Sequence, residues 1–388
     1  MDASRAYIHR EPQPTVSKIQ QDSLKAEPLA DSFQCFQDII PIPNDEVQRL
    51  LVKAIDDVKQ VEYRNPSWPP SVSRSKIACS ASEQRDILAE NTSRNLTIFH
   101  AHGGAFFQGI PEASRPTTSR LAALSGGRVA SVKYRLAPQC PFPTGLLDVL
   151  VAYLSLIIPP PHSPHQPIDP STIVFAGDSS GANLLYALLQ ILRVTRQYPP
   201  ITVHGRTVKF PLPLPAGLAT LSFYGDPLAS LPSYSLNRVN DLYLEIPWSH
   251  PSYPKFGDEQ FVDASRTVAR RAAQQGVHVD WIQFEAMPHC FATLPGLESG
   301  WQAKSCIRKL ATFCRGCVEP KNRDHGDRAR VKAVRVDYSS GAEREISIDD
   351  DPTPALPFNE VQLRIRAMMD ADEDNFRTAQ TAEVASKL

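Results

Sequence analysis

Apolar residues fall into short blocks along this chain, and the blocks alternate between two periods. After Asn44, residues Val47, Leu50, Leu51, Ala54, Ile55 and Val58 recur every three or four positions, which predicts an amphipathic helix with Asn44 as its N-cap. Residues 96–101, 128–134, 172–176 and 218–224 are short, β-branched or aromatic runs of the buried-strand type, and 277–284 alternates apolar and polar side chains. Between and after them, 146–157, 182–194, 264–275 and 297–315 carry helical patterns, with Gly276 placed to close the third. Strands alternating with helices predict an α/β fold, a mostly parallel central sheet covered by helices on both faces. Beyond 318 the texture changes. A polar linker leads to alternating runs at 331–338 and 343–348 around Ser339-Ser340-Gly341, a hairpin pattern, and 359–369 reads as one more helix. Residues 1–44 and 65–90 are polar or Pro-rich and carry no period.

Composition narrows the function classes. With 42% hydrophobic residues the chain can bury a core, so wholesale disorder is excluded. Lys and Arg total 41 against 42 Asp and Glu, a balance that gives no footprint for nucleic acid or an anionic membrane surface. No run approaches the ~18 apolar residues of a membrane span. The first twenty residues carry scattered charge and no apolar block, so no secretory signal is expected and the expected setting is cytoplasmic. The two N-x-S/T matches, at Asn91 and Asn95, are then chance. Seven cysteines imply no disulfide framework, and the lone Cys314-x-x-Cys317 pair reads as structural thiols because no second ligand pair lies near it. The 35 prolines point to long connections.

Three motifs carry chemistry. Gly177-Asp178-Ser179-Ser180-Gly181 fits G-x-S-x-G between a strand and a helix, a turn that lifts a serine hydroxyl above a sheet edge. It also leaves the Ser180 N–H at a helix N-terminus, where backbone donors are unpaired. His102-Gly103-Gly104-Ala105 ends an earlier strand, and adjacent glycines there let backbone N–H groups approach a developing oxyanion. His289 follows the last strand of the alternating region, so serine, acid and histidine come in hydrolase order. The other nine histidines precede the serine, sit in polar or Pro-rich stretches, or lie inside a strand.

Together HAHGGAFFQG at 100–109, the VKYRLAPQCPFPTGLLDVLVAYLSL stretch, VFAGDSSGANL and FEAMPHCFA resemble the hormone-sensitive-lipase-like branch of the α/β-hydrolases, the HGGG esterases, over roughly residues 96–317. The resemblance implies Ser179 as nucleophile and His289 as general base. It implies an oxyanion hole from Gly103, Gly104 and the Ser180 N–H. His102 and Asp178 are implied as supports, with 134–138 and Asp148 shoring up the fold around the site. The G-x-(D/E)-x-x-x-D pattern of the family aligns on 257–263 with Glu259 as the acid and Asp258 as the alternative, and Asp263 is read as the cap of the next helix. No metal or cofactor is implied. The implied organisation is an N-terminal segment with a cap-type helix over 1–90, a catalytic domain over 91–317 and an extension over 318–388.

The stretch between Asp226 and Glu259 is shorter than the family's, so the cap is expected to be reduced. Three prolines in 245–256 argue against a central strand before the acid. The expected function is hydrolysis of small carboxylic esters through an acyl-enzyme. The alternatives are a catalytically inactive small-molecule binding protein, as the gibberellin receptors of the same family are, and a defective gene product with an incomplete sheet. The sequence leaves the oligomeric state open.

Overall fold

A computed structural model of the chain describes residues 16–24, 44–59, 93–161, 163, 165–195, 198–226, 231–236, 261–294, 297–319 and 331–349. The helix expected after Asn44 is present as α2 (Asp45–Lys59), preceded by a short α1 (Val16–Ser23). Asn44 caps α2 as its sequence suggests, its Oδ1 accepting the Val47 N–H at 3.2 Å. The acidic Asp45 and Glu46 sit in the first turn, where the helix dipole favours negative charge.

Four parallel strands follow in chain order, β1 (Thr97–Ala101), β2 (Arg128–Val132), β3 (Ile173–Asp178) and, after a small antiparallel β4 (Ile201–Val203) and β5 (Arg206–Val208) hairpin, β6 (Gly217–Leu221). Their order across the sheet is β2-β1-β3-β6. The crossovers are α3 (Arg115–Ser125) between β1 and β2, α4 (Thr144–Ile157) between β2 and β3, and α5 (Ser179–Val194) after β3. The central strands alternate between two cores. Phe99 of β1 and Phe175 of β3 pack with α2, α4 and α5, while Ile98 and Val174 pack on the opposite face with Leu121 of α3. Burial on both faces explains why these strands read as continuous apolar runs.

A second sheet holds β7 (Val279–Phe284), β8 (Val331–Val336) and β9 (Glu343–Glu345). Between β6 and β7 come the short α6 (Pro232–Leu236) and α7 (Val262–Gln274), and α8 (Trp301–Val318) joins β7 to β8. β8 pairs parallel with β7, and β9 returns antiparallel on β8, the hairpin expected from the alternation. The two sheets share a core in which Ala219 and Leu221 of β6 meet Phe284, Val334 and the buried face of α8.

Some features differ from the sequence expectation. Helices α1 and α3 and the β4–β5 hairpin fall where no period was read. In α3 only Thr117, Leu121 and Ser125 are buried, too thin a stripe to register, although Pro116 in its first turn and Gly126 at its end mark its limits. Asp263 does not cap α7: Phe261 holds that position. The Asp263 carboxylate instead accepts the Ser233 N–H of α6 at 2.8 Å. Among the described residues no strand lies between β6 and β7. The Pro-rich 245–256 stretch, Asp258, Glu259 and the helix expected at 359–369 lie outside the described residues.

The turn from β3 into α5 crosses the end of β1 so closely that Gly181 has no room for a side chain. A Cβ there would stand 2.2 Å from the Ala101 carbonyl oxygen and 2.3 Å from that of His102. Both neighbours are backbone and cannot rotate away. Gly181→Ala is therefore expected to lower stability by about 1–3 kcal/mol through overpacking. Urea unfolding followed by circular dichroism checks this, and a midpoint equal to the wild type's would contradict the crossing.

Candidate active site

Ser179 stands at the junction of β3 and α5 with φ of 48°, a left-handed conformation that costs a non-glycine residue energy and persists only where its surroundings impose it. Here they do, because the chain leaves a buried strand and enters a buried helix within one residue. The turn brings Ser179 Oγ to 2.8 Å from His289 Nε2, and both side chains are buried. His289 lies in the loop after β7, itself held by the Cys290 N–H donating to Ser222 Oγ at 2.8 Å just past the end of β6. The structure thus joins a hydroxyl and an imidazole from segments 110 residues apart, within hydrogen-bond reach of a nucleophile and its base.

The loop 102–109 lies beside this pair. His102 is buried and stacks on Tyr134 with ring centroids 4.4 Å apart. Its Nδ1 lies 2.7 Å from the Gly103 carbonyl oxygen, and its own carbonyl accepts the Tyr134 hydroxyl at 2.7 Å. Burial pushes its pKa down to about 4, so the ring is neutral near pH 7 and Nδ1 carries the proton that Gly103 accepts. Gly103 itself differs from the sequence expectation. Its N–H donates to Asp178 Oδ2 at 3.1 Å and is committed there.

Gly104 and Ala105 are disposed differently. The Gly104 carbonyl accepts the N–H groups of Phe107 and Gln108 at 3.1 and 3.0 Å. In a planar trans peptide the carbonyl and the following N–H point in opposite directions, so anchoring the Gly104 carbonyl aims the Ala105 N–H the other way. By the same geometry, the bond from His102 to the Gly103 carbonyl orients the Gly104 N–H. Gly104 has φ of 119°, and a Cβ there would meet the Gln108 carbonyl oxygen at 2.1 Å, so only glycine fits. Ser180 contributes more than a small side chain, since its Oγ accepts the Phe106 N–H at 3.3 Å and ties the loop to α5.

Asp178 sits under the loop. Beyond Gly103 its carboxylate lies 3.9 Å from Cys290 Sγ and 3.8 Å from His100 Nε2. Burial holds His100 near a pKa of about 3, so that last contact is not an ion pair at neutral pH. Burial also raises Asp178 to about 6, opposed by the Gly103 N–H and the charge of His289. Arg135 and Asp148, expected as supports, form a paired guanidinium–carboxylate contact at 2.6–3.1 Å, with the Arg135 N–H adding a third anchor on Asp148 at 2.8 Å.

Aromatic residues given no role in the sequence analysis surround His289. Phe261 stands edge-on to His289 at 4.9 Å, Tyr224 packs on Phe261 at 4.9 Å and Phe106 on Tyr224 at 6.1 Å. The motifs that contain Phe106 and Phe261 give them no part in the site, because they reach His289 only through the tertiary fold. No group of His, Cys, Asp and Glu among the described residues has a metal-binding arrangement.

A parallel sheet with a serine on a strand-to-helix elbow at its carboxyl edge and a histidine on a later loop is the arrangement of the α/β-hydrolase fold. Residues 98–222 match the model of a family described by its alpha/beta hydrolase fold. An esterase of Acinetobacter venetianus is 32% identical over 177 residues, covering 46% of this chain and 51% of that protein. An acetyl-hydrolase of Streptomyces hygroscopicus is 29% identical over 149 residues, 38% of this chain and 42% of its own. Human hormone-sensitive lipase is 35% identical over 99 residues, 25% of this chain and 9% of that protein. The resemblance to hormone-sensitive-lipase-like esterases is borne out by these matches. The chain spans about half the length of the first two relatives.

Because burial raises the Asp178 pKa, the folded state holds its proton to higher pH than the unfolded chain does. Between about pH 4 and about pH 6 the unfolded state ionises first, so this residue makes stability fall as pH rises. Asp178→Asn is expected to lose that slope and to gain stability relative to wild type between pH 4 and pH 7, on the order of 1–3 kcal/mol. Urea titrations of both proteins at the two pH values check this. Parallel shifts in the two proteins would refute it.

Proposed function

We propose that this protein hydrolyses carboxylic esters through an acyl-enzyme, and the observation that carries the reading is the 2.8 Å contact between Ser179 Oγ and His289 Nε2. Ser179 attacks the ester carbonyl as His289 takes its proton. The resulting tetrahedral oxyanion is stabilised by backbone donors. The alkoxide leaves with the proton returned by His289, and water repeats the sequence on the acyl-enzyme. The commitment of the Gly103 N–H to Asp178 supports assigning the oxyanion donors to Gly104, Ala105 and the first-turn Ser180 N–H. Gly103 then serves the site by its carbonyl and its bond to Asp178. Glu259, with Asp258 as the neighbouring candidate, is the proposed acid that orients His289.

The names of the esterase and acetyl-hydrolase relatives support small, soluble esters, acetyl esters among them, as the substrate class. A cytoplasmic setting is supported by the described cysteines, none of which forms a disulfide. No helix among the described residues is long and apolar enough to cross a membrane. The binding-protein alternative gains nothing from a site that keeps serine and histidine in contact.

Ser179→Ala and His289→Ala are each expected to lower kcat/KM for p-nitrophenyl acetate by about 10⁴-fold or more. Folded wild-type protein without hydrolysis on short-chain p-nitrophenyl esters, acetyl to octanoyl, would overturn the reading.

A further inference from the structure

The loop that carries the proposed oxyanion donors is strained. Gly104, Ala105 and Phe106 have consecutive φ values of 119°, 50° and 67°. Two of the three are not glycine, and such residues hold this conformation only where their surroundings impose it. The restraints come from three directions. Ser180 Oγ accepts the Phe106 N–H, and the Phe106 carbonyl accepts the Ala137 N–H at 3.0 Å. The third restraint is α1, a helix of eight residues without a sequence signature.

Gln20 of α1 donates from Nε2 to the Phe107 carbonyl at 2.8 Å and to the Ala137 carbonyl at 2.8 Å. Its Oε1 accepts from Gln139 Nε2 at 3.0 Å. One turn on, Ser23 Oγ accepts the Gly109 N–H at 3.0 Å while donating to the Gln20 carbonyl at 2.8 Å. A glutamine side chain that satisfies two main-chain carbonyls from separate loops is a bracket between them.

We infer that Gln20 is a positioning residue for ester hydrolysis, acting through a relay of two peptide planes that ends at the Ala105 N–H. Holding the Phe107 carbonyl turns the opposite end of that peptide, the Gln108 N–H, toward the Gly104 carbonyl, which it reaches at 3.0 Å. Holding the Gly104 carbonyl in turn aims the Ala105 N–H. The donor is thereby fixed before charge develops on the substrate, which is the condition for such a donor to accelerate the reaction. Ser23 holds the far end of the same loop. The N-terminal helix is accordingly part of the catalytic frame. This inference rests on the hydrolase reading for its kinetic consequence, but the restraint on the loop stands independently of it.

The test uses the full chain with Gln20→Glu, Gln20→Ala and Ser23→Ala. Glutamate has the shape of glutamine but no donor for the two carbonyls, so it separates hydrogen bonding from space filling. Both Gln20 variants are expected to lower kcat for p-nitrophenyl acetate about tenfold with KM within about twofold, since the lost restraint acts on the transition state. A trifluoromethyl ketone, which forms a tetrahedral adduct, is expected to bind about tenfold more weakly, and amide hydrogen exchange at 105–109 to quicken in all three variants. Wild-type kcat and wild-type exchange in Gln20→Glu would overturn the inference. So would a rise in KM alone, or slowed exchange. If the wild-type protein proves inactive, the hydrolase reading fails on that result and exchange alone decides the relay: quickened exchange at 105–109 in Gln20→Glu sustains it, and unchanged exchange rejects it.

Discussion

The carbonyl oxygens of Ala101 and His102 at the end of β1 press on Gly181 in the first turn of α5, and the rest of the site is arranged around that crossing. Because β1 and β3 are adjacent parallel strands, their carboxyl ends emerge side by side, and the loops leaving them must share one small volume. A helix can start immediately after β3 only if its first turn passes over the neighbouring strand end without a Cβ. Given that, Ser179 is forced into a left-handed conformation, Asp178 is turned toward the Gly103 amide, and Ser180 Oγ comes within reach of the Phe106 N–H. The serine, the glycine loop and the carboxylate beneath it are one packed object.

Charge within that object is controlled mainly by exclusion of water. His100 and His102 are buried and remain neutral, which lets His102 serve as an oriented donor to a carbonyl. Asp178 is only partly exposed, and it keeps a main-chain donor and the influence of His289, so its pKa rises to about 6. The same physics acts on the buried Cys314 and the half-buried Cys317 of α8. Their thiols are pushed upward by burial, Cys317 to about 12, in keeping with structural roles.

The periods of the sequence made the alternation of strands and helices legible, because central parallel strands buried on both faces and long helices against them leave strong apolar runs. Gly181, Ser179 and His289 were legible for a different reason: their chemistry tolerates few substitutes at a fixed spacing. Helix α1 and the Gln20 bracket left no trace, since a polar side chain reaching loops that lie 87 and 117 residues away has no local period. The bond from the Gly103 N–H to Asp178 was not legible, because a motif specifies which amides lie in the loop but not which of them a neighbouring carboxylate has already taken. Phe261 was missed on the same ground, its role being set by what packs on it.

The pairing of β7 with β8 has a consequence for the order in which the molecule is made. β7 leads directly into the loop that carries His289, yet its hydrogen-bonding partner is Val331–Val336, on the far side of α8. During synthesis from the amino terminus, the serine elbow and its four-stranded sheet emerge complete while the edge of β7 stays open. The base therefore gains its final support late, after more than forty further residues of translation, with β7 a strand edge for chaperones to guard in the interval.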